Sequence, residues 1–260
     1  MKPGWVVNAI LALTLVFMLG PFALIFAASF GSEPTLAFPP RGDLSLVWFE
    51  RVFQIQMFID AFQTSLQVAL GGSLTALVLG VPVAYALVRY RFRGKDVIEV
   101  IFSSPAIVPG LVVGLALLRY FVLLSNMPVT TGLYLGHTAI LFPYTVRVVS
   151  ASLRNLSPAI EEAAVSLGAS RLRAFLLIVL PNIRSGVVAA FILSFITSFN
   201  NVPISLFLTG PGIATLPIRM MLYMEYNFDP TIAALSTLLI LFTVLIVQTM
   251  ERVLGVSARI

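Results

Sequence analysis

The sequence predicts an all-α, polytopic membrane protein, and three observations carry that prediction. The chain is 59% hydrophobic and only 10% charged. A soluble domain carries about 25% charged residues, so this chain lacks the polar surface to cover a globule of its size. Its mean hydropathy is +1.01. Six apolar stretches are each long enough to cross a bilayer as helix, which takes ~20 residues; they lie near 6–30, 62–88, 97–124, 133–153, 183–208 and 231–254. The whole of 1–260 reads as a single transmembrane domain.

The first stretch is longer than the ~7–15 apolar residues of a secretory signal. Ala27, Ala28 and Ser29 could pass for a cleavage site, but the length favours an anchored span. The second and third stretches are separated by Arg89, Arg91, Arg93 and Lys95 against Asp96. Arg154, Arg171 and Arg173 lie between the fourth and fifth, with Arg147 and Arg184 at the edges. The remaining loops are neutral or acidic: Arg41 and Arg51 stand against Glu33, Asp43, Glu50 and Asp60, and Arg219 against Glu225 and Asp229. Basic residues therefore alternate loop by loop. The positive-inside rule then puts both termini in the cytoplasm, and an even number of spans agrees.

Composition also excludes chemistry. There is no cysteine, so no disulfide or thiolate site, and one histidine, His137, cannot build a histidine-rich metal centre. His137, at the outer start of the fourth span, reads as a structural hydrogen-bonding residue. The formal charge of +5 reflects basic cytoplasmic loops rather than nucleic-acid binding. No catalytic residue and no metal ligand is assigned. An intramembrane hydrolase needs a nucleophile and base within reach of each other, and no lysine or second histidine lies inside a span. A phosphate-binding Gly-x-x-x-x-Gly-Lys-[Ser/Thr] loop is missing too. Prolines at Pro21, Pro82, Pro105, Pro109, Pro143 and Pro203 fall inside the spans. Each removes a backbone donor and bends its helix, either for a gated pathway or as packing distortion.

The loop at 154–182 is the informative one. Ser157 suits an N-cap and Pro158 the first helical position. Glu161 and Glu162 sit at the positive end of the helix dipole. Gly168 can adopt the left-handed conformation that stops a helix. A second helix starts at Ser170, and Pro181 ends that segment. Ala159, Ala163 and Leu167 share one face. The pair of short helices reads as a docking element or as a solvated amphipathic surface.

Glu162-Ala163-Ala164, Gly168, Ile178 and Leu180-Pro181 match, at every fixed spacing, the "EAA" loop of ABC importer permeases. His137-Thr138 with Phe142 to Arg147, Ile107 to Gly110, and Ser205 to Gly212 with Thr215-Leu216-Pro217 extend the resemblance along the chain. It is nearest to the second permease of spermidine/putrescine systems, with relatives that carry opines, aminophosphonates or iron. The resemblance implies the type I importer permease fold in the cell inner membrane. It makes Glu161, Glu162, Ala163, Ala164, Leu167, Gly168, Ile178, Leu180 and Pro181 the coupling residues. The implied partners are an ABC ATPase subunit dimer, a distinct homologous second permease, and a periplasmic substrate-binding protein docking around 32–60 and 210–229, with membrane lipids around the spans. This chain binds no cofactor on that reading; ATP and Mg belong to the partner ATPase. The solute moves from the binding protein into the cytoplasm, with polyamine the first expectation.

Ser194, Thr197, Ser198, Asn200 and Asn201 form a polar stripe in the fifth span. Such groups line a translocation path or bond to neighbouring helices. Where polyamine permeases carry acidic residues this chain has two amides, which are neutral donors and acceptors. A secondary transporter driven by an ion gradient is the alternative. Such carriers usually hold ionisable groups at midmembrane or matched repeats, and neither is evident here.

Overall fold

The computed structural model describes residues 4–35, 38–40 and 42–254, apart from the side chains of 103–107, 250, 251, 253 and 254. Arg41 and the side chains of Pro105 and Ile107 lie outside the described residues. The described chain is helical, with isolated bridges at Gly31–Leu44 and Gly210–Ile213 as its only extended pairings. It divides into two compact units, Met1–Asp60 with Arg219–Ile246, and Ala61–Ile218 with Val247–Ile260.

In the first unit α1 (Trp5–Ala28) is one continuous helix that includes Pro21. Trp5–Ala28, Gln56–Arg89 and Thr231–Thr249 are each long and apolar enough to cross a membrane unaided. Past α1 the chain turns back, and Trp48 of α2 (Val47–Gln54) donates its indole N–H to the Gly31 carbonyl at 2.6 Å. Trp48 and Val52 are the buried face of this amphipathic helix. Arg51 stacks over the Trp48 ring at 5.5 Å and reaches Asp229 at 3.6 Å.

In the second unit α3 (Gln56–Arg89) continues through Pro82, and α6 (Val129–Asn155) through Pro143. Pro21, Pro82 and Pro143 thus sit within continuous helices. Two others do break their spans. The third stretch becomes α4 (Lys95–Ile107) and α5 (Gly110–Leu117), with Pro109 as the N-cap of α5. The fifth becomes α10 (Arg184–Phe199) and α11 (Pro203–Phe207). A proline lacks the donor needed to continue the ladder, and the chain leaves the helix before each of these two prolines. Beyond α5 the helix widens to π geometry over Leu118–Leu124.

Helix α6 is the hub of this unit and packs against α4, α5, α10 and α11. One core layer joins Leu87, Val149, Leu153, Val179 and Ile183; a second joins Leu133, Leu141, Ile204 and Leu208. Close approach depends on small residues. A Cβ on Gly80 would stand 2.7 Å from the Thr145 methyl, and one on Gly114 2.7 Å from the Pro203 carbonyl oxygen. Helix α12 (Leu216–Tyr226) fills a segment read from sequence as loop, and α13 (Thr231–Leu254) matches the last predicted span.

Candidate functional site

The loop between α6 and α10 folds as two arms. The first is α7 (Pro158–Ser166), with Pro158 in its first turn as expected. Ser157 occupies the N-cap position but its side chain makes no capping bond, which corrects the sequence reading. The far end closes as a Schellman motif. Gly168 adopts φ 94°, its N–H donates to the Val165 carbonyl at 3.0 Å, and Ala169 N–H donates to the Ala164 carbonyl at 3.1 Å. A left-handed residue closes that pair of bonds, and glycine alone takes it without Cβ strain.

The second arm begins at Ser170, whose hydroxyl accepts from the Arg173 N–H at 3.3 Å. It runs through α8 (Arg171–Ala174), a π turn at Phe175–Val179 and α9 (Leu180–Asn182). It meets α10 at 71°. Val179 is buried at this bend, with Leu180 packed against the same core layer. Ile178 is half-buried, and its carbonyl accepts from the Asn182 amide at 2.7 Å. Pro181 is exposed. Leu180, together with Val179, therefore roots the loop on the core layer, while Pro181 stays at the surface.

No residue of α7 is buried. Ala159, Glu162, Ala163 and Leu167 are all exposed, Leu167 at 90%, and Ala164 is half-buried. The two glutamates part company. Glu162 faces outward. Glu161 turns back, accepting a bond from the Tyr85 hydroxyl and pairing with Arg89 at 3.3 Å. Their side chains are only 13% and 11% exposed. Tyr85 and Arg89, absent from the sequence-predicted set, belong to α3, 76 and 72 positions before Glu161.

The polar stripe also divides. Ser194 is buried and meets the Thr145 hydroxyl at 3.3 Å. Ser198 is buried against His137, whose two ring nitrogens lie 2.8 Å from the Ser198 hydroxyl and 3.1 Å from that of Ser205. His137 therefore ties both sides of the broken span to α6, and Ser194 and Ser198 serve helix packing instead of an open lining. Asn201 accepts from the Ile204 N–H at 3.0 Å and caps α11. Thr197 is half-buried. Asn200 is exposed at the break, with its amide donating to the Ile196 carbonyl at 3.1 Å. Replacing His137 with leucine strands two buried hydroxyls and is expected to cost about 2 kcal/mol. A thermal midpoint in detergent identical to that of the unaltered protein would contradict the tie.

At the other end of the first unit, Asp229 accepts from the Tyr223 hydroxyl at 2.9 Å and from the Thr231 N–H at 3.0 Å. Burial pushes the Tyr223 phenol above its usual pKa, so it stays a donor to Asp229. Asp229 is thus a structural anchor, whereas Glu225 is exposed.

Comparison with known proteins agrees with this architecture. Residues 76–259 match the family described as "Binding-protein-dependent transport system inner membrane component". The chain is 32% identical to the putrescine transport system permease protein PotI of Escherichia coli (strain K12), over 89% of this chain and 84% of that one. It is 30% identical to the spermidine/putrescine transport system permease protein PotC of the same organism, over 77% and 76%. Among solved structures, a bacterial alginate ABC transporter in complex with its alginate pentasaccharide-bound periplasmic protein superposes with a TM-score of 0.73 at 16% identity, over 96% of this chain and 95% of that one. That likeness shows the permease fold. The chain is a membrane-embedded transport component and not an enzyme. It belongs to the binding-protein-dependent transport system inner membrane component family.

Proposed function

We propose that this chain is one of two distinct permeases in an ATP-driven importer for a small cationic amine of the polyamine class. It crosses the inner membrane six times with both termini in the cytoplasm. A ligand-loaded periplasmic binding protein delivers the solute to its outer loops. An ATPase subunit dimer, which binds ATP and Mg, grips α7 from the cytoplasm. The observation that carries this reading is α7 itself. It is a short helix with small residues and one outward glutamate on its open side, and its partner arm is rooted on α10 at 71°. Closure of the ATPase dimer pulls on that lever. Transport then follows from unequal affinities of the two conformations for solute and partners. The amine assignment is supported by similarity to putrescine and spermidine/putrescine permeases.

The test is to tag the chain, express it with its neighbouring cistrons, extract it in mild detergent and identify what co-purifies. An ATPase subunit is expected, and proteoliposomes of the complex should take up radiolabelled putrescine with ATP. Purification of the chain alone, with uptake driven by an ion gradient, would replace this reading with a secondary transporter. Asn200 is the exposed amide at the helix break. Asn200→Ala is expected to raise the KM for uptake about threefold without loss of protein, the scale of one weak polar contact. An unchanged KM would remove Asn200 from the solute path.

A further inference from the structure

We propose that Glu161, Arg89 and Tyr85 form a latch that transmits movement of α7 to α3, so that Glu161 works inside the permease and is not a contact to the ATPase. The inference rests on the importer reading above and deepens it. Adjacent residues on a helix point about 100° apart, so only one of Glu161 and Glu162 can face a partner on the open side. Glu162 does. Glu161 is held under the helix by two groups on one turn of α3, the Tyr85 hydroxyl and the Arg89 guanidinium at 3.3 Å.

Arg89 also donates from Nη2 to the Leu156 carbonyl at 3.0 Å. Leu156 is the residue that ends α6. One side chain thus joins the end of α3, the end of α6 and the start of α7. Tyr85 reaches the second arm as well: its ring stands 4.7 Å from that of Phe175, the first residue of the π turn. The last turn of α3 therefore touches both arms of the loop. The link to the first arm is an ion pair largely removed from water. A pair of this kind holds its geometry because separating it exposes each charge uncompensated. A displaced α7 must either carry α3 with it or break the pair. Without the pair α7 still presents its open face, but it slides over the membrane helices.

The consequence is specific: loss of the latch uncouples ATP hydrolysis from transport without releasing the ATPase. The experiment uses the full complex in proteoliposomes. It reads ATPase content, ATP hydrolysis and solute taken up per ATP for Glu161→Ala, Arg89→Glu, Tyr85→Phe and the exchanged pair Glu161→Arg with Arg89→Glu. Glu161→Ala and Arg89→Glu are each expected to retain the ATPase subunit and hydrolyse ATP at a near-normal rate. Their uptake per ATP should fall about tenfold, the scale of one coupled pair. The exchanged pair restores the attraction and should regain most of the ratio. Tyr85→Phe removes one hydroxyl and should lower the ratio about threefold.

Unchanged uptake per ATP in the two single variants overturns the latch. Loss of the ATPase subunit from Glu161→Ala also overturns it, because Glu161 would then be a direct contact. Should the alanine variant fail to fold, Tyr85→Phe decides, and a normal ratio there overturns the latch. An unaltered chain that brings no ATPase removes the importer reading itself, and that result is visible before any variant is made.

Discussion

Glu162→Lys is expected to abolish uptake, by about 100-fold or more, while the chain reaches the membrane in normal amount. Glu162 stands exposed on a helix with no buried residue, so its replacement disturbs no packing inside the permease. The entire effect must come from the surface that α7 meets. A cation placed where a carboxylate was accommodated sets like charges together and costs several kcal/mol. The same variant should lose the ATPase subunit on purification. Normal uptake would show that α7 docks through other residues.

The largest effect on stability is expected at Gly114. A Cβ there would stand 2.7 Å from the Pro203 carbonyl oxygen and 3.2 Å from the Ile204 Cα. Both are backbone atoms, so no side chain can rotate away. Gly114→Val must push α5 and α11 apart. Overpacking of this kind costs about 3 kcal/mol or more, and the variant should lose its sharp thermal transition in detergent. A midpoint within a degree of the unaltered protein would mean that α11 does not lie against α5 as described.

Much of this was legible in the sequence because lipid and loop patterns act locally. Each apolar stretch appears as helix, and the second loop helix starts at Ser170 as its capping chemistry requires. Pro203 and Pro109 break their spans where Pro82 and Pro143 do not. The difference lies in what surrounds the freed groups: Asn201 and the glycines at 110 and 114 give the break a cap and a groove, and neither is visible from the proline alone. Helix α12 was missed because its 11 residues are too short and too polar to look like a span. The division of labour between Glu161 and Glu162 was equally hidden. It depends on Tyr85 and Arg89, some 70 positions away, and no local pattern joins them. His137 reads correctly as a hydrogen-bonding residue, but its partners Ser198 and Ser205 are not legible from sequence: Ser198 falls in a polar stripe that fits either a path lining or a helix contact, and Ser205 lies beyond that stripe. Period and polarity show that a face is polar; the neighbouring helix decides whether that face is wet.

The interruption of the fifth span has an electrical side. Helix α10 spends its 16 residues aligning peptide dipoles and then stops at Asn200, so its carbonyl end carries roughly half a negative charge. The five residues of α11 that follow generate a much weaker field of the opposite sense. Wherever little water screens it, a helix end of this kind attracts a cation without any carboxylate. Under the amine proposal, the end of α10 can favour an ammonium group even beside the amides of Asn200 and Asn201. It does so through a backbone that no titration can neutralise, so the attraction would persist across the whole range of pH at which the protein is folded.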